Sequence, residues 1–151
     1  MKKVVSRVVS AVAFGLLSAM TAGSTFADDW PLVGGDYWQV TGIHIKDGGN
    51  WQYAKWLASE WKKNEEFTKS KGWTKDYMIL SNVHPREGEA NIYLIRVFES
   101  IPSGPEREKR AKEYEAWAAK SNEAMEAESG NRAEFRTAVN DLLLQRLTFR
   151  K

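Results

Sequence analysis

The sequence predicts an α+β protein: a single domain with a four-stranded antiparallel sheet that is covered on one face by helices. Two observations lead to this class. Strand-like runs of aromatic and β-branched residues alternate with longer segments of helical period, and turns rich in glycine or proline separate them. The predicted element order is strand, helix, strand, strand, helix, strand. No internal repeat or low-complexity linker indicates a second domain.

The N-terminal segment is predicted to be a secretory signal peptide. Three basic side chains among the first seven residues precede an apolar run at residues 8–17, which is too short for a membrane span. Thr25 and Ala27 place small residues before a cleavage point. We therefore expect a mature domain of residues 28–151, periplasmic or secreted and free of the membrane. An uncleaved membrane anchor is the alternative.

The bulk composition excludes several kinds of function. The signal peptide removes three of the 22 basic residues and none of the 20 acidic ones, which changes the net charge from +2 to −1. No basic surplus remains, so nucleic acid is not expected as a partner. The chain has no cysteine, which excludes thiol chemistry, and its seven tryptophans are expected in the core or in the walls of an apolar cavity.

The first strand is predicted at residues 36–46. Its alternation gives two faces that both carry apolar side chains, so we expect the strand to be buried on both sides and therefore central in the sheet. One face carries Tyr37, Gln39, Thr41, Ile43 and Ile45, and the other carries Trp38, Val40, Gly42 and His44.

The first helix is predicted at residues 51–70, with an apolar stripe at helical spacing. Asn50 is expected to be its N-cap, and Gly72 is the residue expected to end it. The stripe consists of Tyr53, Trp56, Leu57, Trp61 and Phe67.

The rest of the chain is predicted as a hairpin, a long charged helix, a short helical segment and a last strand. Pro85 and Gly88 lie in the loop of the hairpin, whose two strands are therefore antiparallel. The hairpin strands cover residues 75–84 and 91–100, the helix 106–129, the short segment 132–139 and the last strand 142–149.

This element order is the ferredoxin-like arrangement, in which right-handed crossovers place strands one and three in the centre. We expect strand one to run parallel to strand three, and the C-terminal ends of strands one and two to lie at the same edge. The helices cover only one face of this sheet. Because the other face keeps apolar residues, we expect a second subunit to cover it in a two-fold homodimer.

The pattern resembles the dimeric α/β-barrel superfamily, which includes proteins like the antibiotic-biosynthesis monooxygenases and the haem-degrading monooxygenases. The resemblance rests on element order, strand pattern and length over about residues 37–149. It implies two sheets that face one another around a cavity for an aromatic ligand or haem. Haem-degrading members have an asparagine on the first strand and an iron-ligating histidine on a helix, but the first strand of this chain has His44 and no asparagine, and residues 106–129 contain no histidine. Haem degradation is therefore not expected, and the resemblance supplies no cofactor and no catalytic residue.

Two polar residues on predicted strands are the main candidates for a site. Arg96 lies in the middle of strand three, where a buried charge is costly without a partner. It is expected to pair with a carboxylate such as Glu99 or one across the dimer, or to bind an anionic ligand. His44 is either a general base or polar anchor in a cavity, or a structural histidine bonded to a neighbour. His44 and His84 lack a third ligand at a suitable spacing, so no metal site is predicted.

Four further residues are expected either to line the same cavity or to pack in the core. They are Trp38, Tyr77, Asn82 and Tyr93.

Three functions remain open from the sequence. The first is an exported domain that binds a small apolar or aromatic ligand, with an anionic group as an option, between sheet and helices. The second is a cofactor-independent monooxygenase or isomerase-type enzyme, with His44 as acid or base and Arg96 or Asn82 orienting the substrate. The third is a structural or interaction dimer.

Overall fold

The structure is a computed structural model that describes residues 30–151, so the predicted signal peptide and its cleavage site lie outside the described residues. Four strands form one antiparallel sheet in the order β2-β3-β1-β4. This confirms the α+β class, the ferredoxin-like order and the central position of strands one and three. The strands are β1, Leu32–Ile45; β2, Asp76–Ser81; β3, Ile92–Phe98; and β4, Arg136–Phe149.

The direction expected for strand one is wrong, because β1 runs antiparallel to β3, with Val40 opposite Ile95. Strand β2 is also antiparallel to β3, so β1 and β2 run in the same direction. Their C-terminal ends therefore do lie at one edge. The helical crossover explains this, since it returns the chain to the starting end of the sheet before β2 begins.

The first helical segment spans residues 50–70 without a break, as α1 (Asn50–Trp56), a π-helical turn (Leu57–Trp61) and α2 (Lys62–Ser70). Gly72 has a φ of +69° and ends it as predicted. The predicted N-cap is wrong: the cap is Gly49, and Asn50 is the first helical residue. Glycine is required at position 49 because a Cβ there would lie 2.5 Å from the carbonyl oxygen of Phe135.

The long helix predicted at residues 106–129 is two helices, α3 (Gly104–Ala118) and α4 (Asn122–Asn131). Ala119 has a φ of +52°, in the left-handed region that ends a helix. Ser121 then starts α4 as its N-cap, since its Oγ accepts a hydrogen bond of 3.2 Å from the Ala124 amide.

The last strand is longer than predicted, and the predicted helical segment at 132–139 is wrong. Only Arg132–Glu134 is helical, as one 3₁₀ turn, and β4 begins at Arg136. Arg136 and Thr137 pair with Ile45 and His44, so the end of β1 does not leave its backbone groups without partners. For the same reason β1 begins at Leu32, which pairs with Phe149.

The sheet has apolar residues on both faces, as its first strand predicts. On the helix face, Ile43, Ile45 and Leu94 pack against three residues of the first helical segment: Tyr53, Leu57 and Trp61. The opposite face, here called the open face, has its own cluster of Val40, Ile95 and Val97, with Trp38, Met78 and Tyr93 packed against it. No helix of the described residues is long and apolar enough to cross a membrane.

Candidate functional site

The residues predicted for one site lie on two faces of the sheet. Trp38 and Tyr93 belong to the open-face cluster. Tyr77 packs against the helix-face cluster, and Arg96 lies opposite it across the β2–β3 pair. The structure therefore does not bring Arg96 together with His44, which alternation places on the open face.

Arg96 forms an ion pair with Glu65 of α2, and not with Glu99. Its Nε and Nη2 atoms donate hydrogen bonds of 2.8 Å and 2.6 Å to the same carboxylate oxygen, Oε1. Glu65 is 1% exposed, and its second oxygen, Oε2, is buried without a hydrogen-bond partner among residues 30–151. Arg96 thus has the carboxylate that a charge on a central strand requires.

The charges of two further arginines, Arg132 and Arg136, affect the pKa of the buried Tyr53 hydroxyl. Burial raises the pKa of Tyr53 to about 12, while the charges of Arg136, Arg132 and Arg96 act in the opposite direction. Within the described part of the chain, neither Arg132 nor Arg136 has a carboxylate within 4.0 Å. The junction of α4 and β4 therefore brings unneutralised positive charge close to a buried hydroxyl.

Arg132 is positioned by an aromatic ring and a helix end. Its guanidinium carbon lies 4.4 Å from the centre of the Trp56 ring, and its Nη1 donates a 3.0 Å hydrogen bond to the Glu128 carbonyl oxygen. Its Nε atom is buried, and no residue of the described chain accepts a hydrogen bond from it. Burial, followed by the charge of Arg136, lowers the pKa of Arg132. Arg132 therefore has N–H groups that can still donate hydrogen bonds.

Arg132 lies in the wall of a cleft of about 210 Å³ between the first helical segment and the α3–α4 pair, here called the interhelical cleft. Tyr114 in the same wall has a pKa raised by burial and then by the charge of Glu65, while Arg96 lowers it. The buried ion pair is therefore within electrostatic reach of the cleft. Its lining is Trp56, Glu60, Lys63, Asn64, Tyr114, Trp117, Ala118, Lys120, Met125, Glu128 and Arg132.

His44 is exposed and lies beside a second, wider depression of about 590 Å³, here called the His44 groove. Glu89 lines this groove, and its Oε2 accepts hydrogen bonds from the Arg86 amide at 3.0 Å and from Asn82 Nδ2 at 3.4 Å. Asn82 therefore reaches the groove only through Glu89. The other lining residues are Pro85, Arg86, Glu87, Gly88, Asn91, Thr137 and Val139.

Residues 30–151 contain no group of three or more histidine or acidic side chains placed to hold a metal ion. No family model, no curated protein and no solved structure matches the chain. The resemblance to the dimeric α/β-barrel superfamily therefore stays a prediction from the order of the elements.

Proposed function

We propose that this protein is an exported domain that binds a small aromatic anion in the interhelical cleft. The observation that supports this most strongly is the guanidinium of Arg132, which lies in the cleft wall and has no carboxylate within 4.0 Å among the described residues. In this proposal Arg132 binds the anionic group, and the aromatic side chains of the cleft contact the ring of the ligand.

The charge around the cleft favours an anion. Five basic side chains line the cleft or act on Tyr53, and three carboxylates line the cleft or pair with one of these basic residues, which leaves an excess of two positive charges. Lys120 is neutralised by Glu128 at 2.6 Å, so the excess belongs mainly to the arginines. The basic residues are Lys63, Arg96, Lys120, Arg132 and Arg136, and the acidic residues are Glu60, Glu65 and Glu128.

The size and walls of the cleft favour a ligand with one ring. Its volume of about 210 Å³ is below the range of about 300–1,000 Å³ that is usual for drug-sized ligands. Trp56 and Trp117 line it, and Trp117 is held in place by stacking on Phe67 with 4.2 Å between ring centres. A single-ring aromatic carboxylate such as benzoate matches this combination of size, charge and aromatic surface.

The test is calorimetric titration of residues 28–151 with benzoate and its hydroxylated derivatives, with tryptophan NMR signals to locate binding. Arg132→Gln should weaken binding roughly tenfold or more, because a hydrogen bond to a charged group contributes about 1.5–3 kcal/mol. Arg107→Gln is the matched control, since Arg107 is exposed on α3 and does not line the cleft. Equal affinity of the two variants would contradict the proposal.

An enzyme of the cofactor-independent monooxygenase or isomerase type is the second candidate. It is supported by the exposed imidazole of His44 beside a groove with two carboxylates, Glu87 and Glu89. Arg96 lies on the other face and cannot orient a substrate there, which leaves Asn82 acting through Glu89. Substrate-dependent oxygen consumption that His44→Ala abolishes, and that His84→Ala leaves intact, is the expected result for this candidate. An equal rate in the two variants would exclude it.

The proposed export and homodimer have separate tests. Expression of the full chain in a bacterium should give a periplasmic protein whose intact mass corresponds to a start at Asp28. A mass that includes residues 1–27 would contradict cleavage. Sedimentation at micromolar concentration should show a dimer. A dimer that binds none of the aromatic acids and has no activity would instead match the third candidate, a structural or interaction dimer.

A further inference from the structure

Strand β4 is the long, exposed edge of the sheet. It has 14 residues, and all of them after Arg136 are exposed. Among residues 30–151 only β1 pairs with it, so within the described chain its outer edge keeps free backbone donors and acceptors that can pair with a further strand. The other edge, β2, has only six residues. The outer edge of β4 is therefore the larger surface for strand addition.

The exposed apolar side chains of the sheet concentrate on β4. Leu143 and Leu147 are each 54% exposed on the helix side, and Leu142 and Leu144 are 46% and 49% exposed on the open face. By contrast, Val40, Ile95 and Val97 in the middle of the open face are already buried. The apolar surface that needs a partner is thus at the β4 edge more than in the middle of the face.

The pattern of polar and apolar side chains on β4 is symmetric about Leu143. Two polar residues precede three leucines, and two polar residues follow them, as Asn140-Asp141-Leu142-Leu143-Leu144-Gln145-Arg146. One position further out on each side the residues are Val139 and Leu147, which are both apolar. Such a segment is complementary to a second copy of itself in antiparallel orientation.

Geometry restricts how two copies can pair. A two-fold axis perpendicular to the sheet keeps each side chain on its own face, and directly opposite residues of paired strands share a face. The axis must therefore pass between one residue and its own copy, and not at a level between two successive residues of the strand. An axis at Leu142 places Asp141 opposite Leu143, and an axis at Leu144 places Leu142 opposite Arg146. An axis at Leu143 matches apolar with apolar and polar with polar residues.

We propose that β4 pairs with β4 of a second copy, antiparallel and about a two-fold axis at Leu143, which joins two four-stranded sheets into one of eight strands. Leu143 meets its own copy, and Leu142 meets Leu144. Asp141 lies opposite Gln145, and Asn140 lies opposite Arg146, so no like charges face each other between residues 139 and 147. This inference places the homodimer contact at the β4 edge, whereas the sequence predicted it on the open face, and it does not depend on the proposed ligand.

The absence of cysteine from the chain makes a direct test simple. In Leu143→Cys, oxidation with copper phenanthroline should give a covalent dimer, because opposite residues of antiparallel strands have Cα atoms about 4.5–5.5 Å apart, within disulfide range. Leu147→Cys is the matched control, with the same exposure on the same strand and face. Its two copies would be eight residues apart along the strands, or about 27 Å, and should not cross-link.

A second variant separates edge pairing from dimerisation as such. Leu143→Lys places two like charges at the axis and should convert a sedimenting dimer into a monomer with an unchanged far-ultraviolet circular dichroism spectrum. A dimer that persists in Leu143→Lys, or equal cross-linking of the two cysteine variants, would overturn the β4 contact and leave the homodimer proposal standing. A monomeric parent protein would overturn both.

Discussion

At the scale of single residues, the Arg96–Glu65 pair shows how a buried charge is accommodated on a central strand. Both donor atoms of Arg96 form hydrogen bonds with the same oxygen of Glu65, so the second oxygen receives no hydrogen bond from Arg96. Desolvation of the two ions offsets much of their attraction, and the main effect of the pair appears when one partner is lost. The need for a carboxylate partner was predictable from the position of Arg96 in strand three. Its partner was not, because the sequence does not rank a glutamate 31 residues away above nearby Glu99.

Removal of one partner should therefore cost far more than removal of both. Arg96→Leu leaves the Glu65 carboxylate buried without its counter-charge, and we expect a loss of about 3–5 kcal/mol in the free energy of unfolding. The double variant Arg96→Leu/Glu65→Leu should recover most of that loss in urea denaturation. Lys69→Met, which breaks an exposed ion pair with Asp76, is the control and should cost less than about 1 kcal/mol. Similar losses in the single and double variants would contradict this account.

The Tyr53 hydroxyl predicts a loss of stability at alkaline pH. Burial raises its pKa from 10.0 to about 12, so between these values the folded protein keeps a proton that the unfolded chain releases. The stabilising contribution is complete below pH 10 and decreases as pH rises through 12.

Tyr53→Phe should make the fall in unfolding free energy between pH 10 and 12 shallower than in the parent protein. Chemical denaturation at a series of pH values measures this slope. Tyr77 contributes to the slope that remains, because its hydrogen bond with Glu66 raises its pKa to about 12 as well. An unchanged slope in Tyr53→Phe would show that its hydroxyl is not the titrating group.

At the scale of elements, the break between α3 and α4 depends on one alanine. Ala119 adopts a left-handed conformation with a φ of +52°, which glycine adopts with little strain and alanine does not. The sequence offers no glycine at this point, and the apolar stripe continues past it. A single helix was therefore the natural prediction, and Ser121 was the only local signal of a new helix start.

Ala119→Gly should stabilise the protein by about 0.5–1 kcal/mol, because relief of the left-handed strain exceeds the added flexibility of the unfolded chain. The urea midpoint measures the change. Ala116→Gly is the control, since Ala116 is exposed within α3, and it should destabilise by about 1 kcal/mol. Destabilisation by both substitutions would contradict the strain at Ala119.

Periodicity predicted the first helix and the central strands β1 and β3, because each buries its own stripe or face. It failed at residues 132–139, where the strand conformation of Arg136 and Thr137 is imposed by pairing with the end of β1. The candidate site was missed for a related reason. Arg132 follows α4, Trp56 ends α1 and Tyr114 lies on α3, so only the packing of these helices brings them to one cleft.

At the scale of the whole molecule, the sheet divides the protein into two chemically different sides. The helix side contains the Arg96–Glu65 pair and the interhelical cleft, whereas the open face contains a smaller apolar cluster and the His44 groove. Substitutions in one region should leave the other unchanged, since the central strands separate them. This is why Arg132 and His44 variants can distinguish the two candidate functions independently.

The two ends of the described chain meet beside the sheet. The amide of Arg150 donates a 2.7 Å hydrogen bond to the Pro31 carbonyl oxygen, and its Nε donates one of 3.1 Å to the Trp30 carbonyl oxygen. A short linker from residue 151 to residue 30, with new ends in the exposed loop at 85–88, should therefore give a folded circular permutant.

The permutant should refold faster than the linear domain, because the long β4–β1 pairing becomes local, and this outweighs the loss of the shorter local β2–β3 hairpin, so the mean sequence separation of contacts falls. Stopped-flow tryptophan fluorescence of the permutant and of residues 30–151 makes the comparison. Equal refolding rates would show that β1–β4 pairing does not limit folding.

The same long-range pairing determines the order in which the natural chain can fold. The central strand β1 is synthesised first among the strands, but its partner along one whole edge is β4, which the ribosome makes after every other element of the domain. Until then β1 has only one neighbour, and the sheet cannot be completed. This strand order delays completion of the sheet until synthesis of the domain is almost finished, which would suit the export proposed above, because a translocation channel requires an unfolded chain.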